Sequence, residues 1–413
     1  MNKQNQSVFN IVVIVAALGY FVDIYDLLLF GIIRVKSLMS LGLDSMQVRD
    51  SGEFIISIQM AGLLIGGIIW GVMGDKKGRL SVLFGSIILY SIANIANGFV
   101  QTVNQYALVR FIAGVGLAGE LGAGITLVSE LLPKEKRGVG TSLVAGIGLI
   151  GAVVAYFISQ EFDWRICYFI GGGLGVLLLI LRVSVFESSL YKKVKEMKVS
   201  RGNFFMFFSS GKRLKKYLLS ILIGLPTWYV IGVLVSFSKE FASPENLNIK
   251  GIVDPGKAIM YAYAAISAGG LFIGLVSQWL KSRKKSLYIF YAITAIFMLL
   301  FFYQKDGSAA QMYFICAGLG FGTGFWSIFV TIGAEQFGTN LRATAATTIP
   351  NMVRGSLPLI ILLFKSLRGP FDYVTAGWIT GLIIMCITVV AALMIEETFH
   401  KDLNYLEVEE MAH

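Results

Sequence analysis

Stretches of roughly 20 predominantly apolar residues recur from one end of this chain to the other, and a helix of that length crosses a bilayer's hydrocarbon core. Twelve are read, at approximately 8–33, 53–73, 79–100, 104–130, 139–160, 164–186, 216–238, 257–280, 286–304, 308–334, 343–364 and 373–395. Lipid cannot hydrogen-bond a peptide group, so spans joined by short loops must be helices that satisfy their own backbone. The expectation is an all-α polytopic membrane protein of 12 transmembrane helices. Composition agrees: 56% of the 413 residues are hydrophobic and 15% charged, against about 25% charged in soluble domains. That excludes most water-soluble enzymes. The first apolar run is too long for a signal-peptide core and lacks a small-residue cleavage site, so it stays as a helix.

Charge then orients the spans. Lys76, Lys77, Arg79, Lys134, Lys136, Arg137, Lys281, Arg283, Lys284, Lys285 and Arg342 fall in odd-numbered connections, and the middle connection between Lys192 and Lys216 is strongly basic. The opposite side is thinner and more balanced in charge. By the positive-inside rule both termini and the middle loop face the cytoplasm, as in a multi-pass protein of a bacterial inner membrane. The expected organisation is an N-terminal bundle over 1–186, a basic linker over 187–215, a C-terminal bundle over 216–397 and a cytoplasmic tail over 398–413. The net charge of +10 is therefore topology, and nucleic acid is not an expected partner. Cys167, Cys316 and Cys386 lie in apolar stretches without metal-ligand spacing, so neither a metal nor a disulfide framework is expected. His400 and His413 are both in the tail, which leaves carboxylates or Tyr for proton chemistry inside the membrane.

The chain also repeats itself. Glu130 precedes Arg137 by seven residues, and Glu335 precedes Arg342 by the same seven. Phe186-Glu187-Ser188 closes the first six spans much as Glu396-Glu397-Thr398 closes the last six. Two pseudo-symmetric six-helix bundles follow, with a solute site expected between them.

Five ionisable residues lie inside spans, where charge is costly and marks function: Asp23, Asp26, Arg110, Glu120 and Arg354. At ~1.5 Å of rise per residue, Asp26 and Arg110 both lie roughly 10 Å from the outer surface and can pair. Asp23, Glu120 and Arg354 fall near the midplane. A carboxylate paired with Arg keeps its charge, whereas an unpaired one in a low-dielectric site exchanges protons near neutrality. Asp26–Arg110 is thus expected as a structural or gating pair, and Asp23 or Glu120 as the carrier of the coupling proton. Arg354 is expected to be free for an anionic group on the solute. The alternative is a packing network in which all five neutralise one another.

Gly71-Val72-Met73-Gly74-Asp75-Lys76-Lys77-Gly78-Arg79 resembles the signature loop of the major facilitator superfamily, and Arg110-Phe111-Ile112-Ala113-Gly114-Val115-Gly116 resembles its fourth-span motif. Glu187 stands where that family carries an acidic motif after span six. Asp23-Ile24-Tyr25-Asp26, with Ala118-Gly119-Glu120 and Glu130, is similar to the metabolite:proton symporter branch; Ile24 and Ala118 depart from its pattern. The resemblance implies the major facilitator fold and an alternating-access carrier. It implies a charge relay at the cytoplasmic mouth through Asp75, Arg79, Glu130, Arg137 and Glu187. In the second half the matching loop has no acid at the Asp75 position, and a solvated basic loop is expected there.

Tyr20, Tyr25, Gln59, Trp228, Tyr229, Tyr261, Tyr263, Trp326 and Asn351 lie near the expected cavity; Tyr25, Trp228 and Trp326 are the foremost expected solute contacts, with Gln59 and Asn351 as polar neighbours. Pro226, Pro350 and Pro358 can break their spans locally. Gly114-Val115-Gly116-Leu117-Ala118-Gly119 satisfies a dinucleotide fingerprint, but no strand precedes it, and close helix packing explains it better. The functional expectation is proton-coupled import of a small polar organic solute: an amino acid, betaine or carboxylate. Its partners are the solute, protons and the bilayer, with no cofactor and no obligate oligomer. The alternatives are a proton-antiport exporter of drug-like or siderophore-like compounds, a uniporter, or a transport-inactive sensor. The span-five run Gly146 to Gly151 lacks the Gly-Pro signature usual in antiporters, which favours import. No Ser/His or metal constellation supports an enzyme.

Overall fold

The structure is a computed structural model that describes residues 11–77, 79–131, 134–186, 204–399, 401 and 407. Eleven helices are long and apolar enough to cross a membrane, and Ser81–Asn97 supplies a shorter apolar helix between the second and fourth. The first three spans are Ile11–Ser40, Ser45–Lys77 and Arg79–Asn97. Lys134–Glu161 and Trp164–Phe186 are the fifth and sixth, Pro255–Leu280 and Arg283–Tyr303 the eighth and ninth, and Tyr373–Met394 the twelfth. Several starts carry side-chain caps, with Thr102, Asp254, Ser282, Ser308 and Asp372 each accepting a first-turn N–H.

The remaining four spans are interrupted. The fourth runs as Val103–Leu117 and Glu120–Leu131, and the tenth as Ala309–Thr323 and Trp326–Glu335. These two breaks occupy matching positions in the repeat. The seventh starts at Gly211, ahead of the basic run, and is split into Gly211–Leu222, Leu225–Tyr229 and a π-helical Val230–Val235. The eleventh is split into Thr339–Gly355 and Leu357–Leu367. Pro226 and Pro358 stand in the first turn of a new segment, where the missing N–H costs nothing, while Pro350 stays inside its helix.

Within the first half, span one packs on span five and span two on span four; in the second, span eight packs on span ten. The halves meet where span five lies on span eight and span two on span eleven. The dinucleotide-like glycines serve these seams: a Cβ on Gly114 would strike the backbone of Gln59, and one on Gly62 the backbone of Phe111. Lys77, Gly211, Arg283 and Met394 share one end of the bundle, called here the terminal end. Ser40, Ser45, Glu161 and Pro255 mark the far end.

Candidate functional site

Asp26 and Arg110 come together in the first half, both fully buried, at 2.8 Å. The same guanidinium donates to the Asp26 carbonyl at 2.9 Å, to Gln59 Oε1 at 3.2 Å and to Asn94 Oδ1 at 3.4 Å, and it lies over the Tyr168 ring. Gln59 in turn donates to the Leu27 carbonyl at 3.0 Å, so it holds this pair in place. All three Arg110 nitrogens are used, with Asp26 Oδ2 the one carboxylate oxygen left without a partner, and the arrangement joins spans one, two, three and four.

Glu120 is not the open carboxylate expected of a proton carrier. It forms an ion pair with Arg182 of span six, a buried arginine outside the five residues selected from the sequence. Arg182 also donates to the Leu83 carbonyl at 3.2 Å, and Ser86 Oγ reaches Glu120 at 3.4 Å. Gly19 makes room for the pair, since a Cβ there would collide with both side chains. Arg182 was easy to pass over because it lies in the last turns of a span, where a long basic side chain ordinarily reaches for the interface.

Arg354 is not free either. It faces Asp23 across the two halves, Nη1 to Oδ2 at 3.8 Å, both buried. This pair differs from the other two in having no hydrogen bond: both Asp23 oxygens and Arg354 Nε and Nη1 are buried without a partner. Trp228 and Trp326 flank the guanidinium, each ring centroid 6.0 Å from its Cζ, and they meet edge to face at 6.4 Å. Tyr20 and Tyr263, both buried, lie within electrostatic reach of the same two charges. The helix breaks explain the placement. Trp228 follows the break at Gly224, Trp326 opens the second segment of span ten, and Arg354 stands next to the last residue before the break at Ser356.

Two other expected contacts lie elsewhere. Tyr25 turns towards span six and donates to the Cys167 carbonyl at 2.9 Å, a contact within the first half. Asn351, one turn before Arg354, donates to the Ala118 carbonyl at 2.7 Å and so bridges the halves at the fourth-span break. Tyr20 and Tyr263, both among the aromatics expected near the cavity, stand beside Asp23 and Arg354. For Tyr20 the sequence carries the signal, since it precedes Asp23 by three residues, on the same helix face.

Of the signature loop, Gly71 is described and sits against Thr348 of span eleven. Gly74, Asp75 and Arg79 fall in described helix, but their side chains, with those of Glu130 and Arg137, lie outside the described residues, as do Gly78 and Glu187 altogether. The second-half counterpart is no solvated loop. Arg283 pairs with Glu335 at 3.5 Å and stacks over Phe399. Glu397 accepts from the Ser282 hydroxyl and from the backbone N–H of Arg283, Lys284 and Phe399. The acids come from the ends of spans ten and twelve rather than from the Asp75 position, which is why the loop sequence alone hid them.

Comparison with known proteins gives a consistent picture. The family model for the Major Facilitator Superfamily matches residues 9–361. The niacin transporter NiaP of Acinetobacter baylyi is 26% identical over 94% of both chains. The benzoate transport protein of the same organism is 29% identical over 47% of this chain and 43% of its own. The solved structure of the proton:xylose symporter XylE bound to 6-bromo-6-deoxy-D-glucose aligns with a TM-score of 0.69 over 96% of this chain and 97% of that one, at 18% identity.

Proposed function

The chain belongs to the Major Facilitator Superfamily, and on that premise we propose that this transporter imports a small aromatic carboxylate together with a proton. The reading rests on one observation: a buried, hydrogen-bond-starved Arg354–Asp23 pair that joins the halves between two indoles. A guanidinium fits a carboxylate with two parallel hydrogen bonds, and indole faces suit a flat ring. Asp23 then competes with the solute for Arg354. A proton on Asp23 removes the competitor, so solute and proton enter together, and neither alone leaves the site neutral. The carboxylate is the member of the expected solute classes that this site favours, and the names of the niacin and benzoate relatives point the same way.

In this reading Asp26–Arg110 and Glu120–Arg182 hold the first bundle rigid, and Asn351 and Gln59 are positioning residues. Gly71, Gly74, Asp75, Gly78, Arg79, Glu130, Arg137 and Glu187 form the terminal-end latch implied by the family. The two bundles divide at the basic 187–215 linker, and the protein works as a monomer in the inner membrane with both termini cytoplasmic. Uptake of labelled nicotinate and benzoate into proteoliposomes, with and without an acid-outside gradient, tests the proposal. Gradient-driven accumulation of either acid is expected. Uptake indifferent to the gradient overturns the coupling, and uptake of aliphatic amino acids but of neither aromatic acid overturns the solute class.

A further inference from the structure

Ion pairs between the spans can be sorted by whether they lie within one half or cross between them. Asp26–Arg110 and Glu120–Arg182 lie within the first half, and Arg283–Glu335 within the second. Besides Asp23–Arg354, two described pairs cross, and both are at the far end. Arg34, fully buried at the end of span one, reaches Glu240 after span seven at 2.7 Å. Arg368, after span eleven, reaches Glu53 of span two at 2.7 Å.

The two pairs have opposite polarity. The first half supplies Arg34 and Glu53, and the second supplies Glu240 and Arg368. Each half thus presents one cation and one anion, and each finds its opposite. Several features hold this arrangement together. Arg34 also donates to the Ser236 carbonyl at 3.1 Å, just after the π-helical turn, and lies 4.4 Å from the Phe237 ring centroid. Gly52 leaves space for its stem, because a Cβ there would meet Arg34 Cδ. Arg368 stacks on Phe364 and Tyr373. Tyr373 lies within electrostatic reach of all four charges, so the two arms form one cluster.

We infer that these four residues are a two-armed latch that closes the far end, and that both arms break when the halves rock apart there. Intra-half pairs move as rigid units and survive such a motion; crossing pairs cannot. With both arms formed, the far end is shut in this structure. The crossed polarity also sets register. Sliding one half along the other brings like charges together, so the latch recloses in one alignment only.

The test uses the full-length protein in detergent and reads access beneath the latch. Ile259 is buried one turn into span eight and faces Gly31, one turn below Arg34. An Ile259→Cys reporter is introduced with exposed Cys386 replaced by Ser; Cys167 and Cys316 are buried and serve as the folding control. Glu240→Gln or Arg368→Gln is expected to speed maleimide labelling of the reporter by about tenfold or more, while the two buried cysteines stay unreactive. Combining Arg34→Glu with Glu240→Arg is expected to restore slow labelling. Unchanged labelling in both single variants overturns the latch. Fast labelling that the charge exchange fails to slow overturns the pairing. Arg368→Lys, which keeps the charge, provides a milder variant if the Gln forms do not fold, and labelling slower than in Arg368→Ala supports the same conclusion; equal rates overturn it.

Discussion

Arg354 stands 3.8 Å from Asp23 with no hydrogen bond between them, whereas Arg110 holds Asp26 at 2.8 Å and fills its other donors on Gln59, Asn94 and a carbonyl. Two aspartates three residues apart on one helix therefore meet their arginines in opposite conditions. A buried pair repays its desolvation only when geometry is good and the remaining donors are used. Asp26–Arg110 meets that standard and is a structural unit. Asp23–Arg354 does not: both carboxylate oxygens and two of the guanidinium nitrogens are without a partner, which is the ground on which the solute and the proton are proposed to meet there.

The first prediction separates coupling from binding. Asp23→Asn removes the competitor for Arg354 permanently and imitates the protonated state. The variant is expected to bind and exchange labelled nicotinate or benzoate but to lose accumulation driven by a pH gradient. Counterflow in proteoliposomes checks the first half and gradient-driven uptake the second. Retained accumulation would assign the coupling proton elsewhere.

Recognition of the carboxylate should depend on the shape of Arg354 as well as on its charge. Lys supplies a point charge without the planar fork, so Arg354→Lys is expected to raise KM for aromatic carboxylates by about tenfold or more, on the order of one bidentate hydrogen bond. Trp228→Leu keeps the apolar bulk but loses the indole face. It is expected to raise KM for benzoate by up to about tenfold, the order of one aromatic contact at ~0.5–1.5 kcal/mol, with a smaller effect on an aliphatic acid of equal length. Competition with unlabelled acids in the uptake assay measures both.

Much of this arrangement was legible in the sequence. Hydropathy gave the spans because lipid leaves the backbone only one solution, and rise per residue put Asp26 level with Arg110. What stayed hidden depends on helix rotation and on partners far apart in the chain. Arg182 lies in the last turns of span six, where an arginine ordinarily reaches for the interface, and only the rotation of that helix turns it onto Glu120. Tyr25 has the depth of a cavity residue, and only the structure shows it turned towards span six. The breaks at 118–119 and 324–325 carry no proline, so only the structure shows them.

The intra-half pairs lead to a stability prediction. Removing one partner leaves a buried charge uncompensated, at a cost of about 3–5 kcal/mol. Asp26→Asn and Arg182→Gln are each expected to lower the midpoint of thermal unfolding in detergent substantially. Glu120→Gln combined with Arg182→Gln should recover part of the loss, because neither side is then left charged. Gly19→Ala should resemble Arg182→Gln, since its methyl displaces that pair. Additive losses in the double variant would show that the two residues act separately.

At the terminal end, Glu397 gives a prediction with a defined pH dependence. Burial alone would raise its pKa, but the Ser282 hydroxyl and the N–H groups of Phe399, Arg283 and Lys284 outweigh that and bring it from 4.5 down to about 2. Three of those donors open span nine, where a carboxylate also meets the positive end of the helix. A carboxyl with a depressed folded-state pKa stabilises the fold above its unfolded value, and that contribution fades as pH falls through the folded value. Glu397→Gln is therefore expected to be less stable than the parent at pH 7, with the gap constant down to about pH 4.5 and closing from there towards about pH 2. Thermal unfolding of both proteins across that range measures the gap. A difference that does not narrow on acidification would mean that Glu397 acts through its shape and hydrogen bonds, with no contribution from its charge.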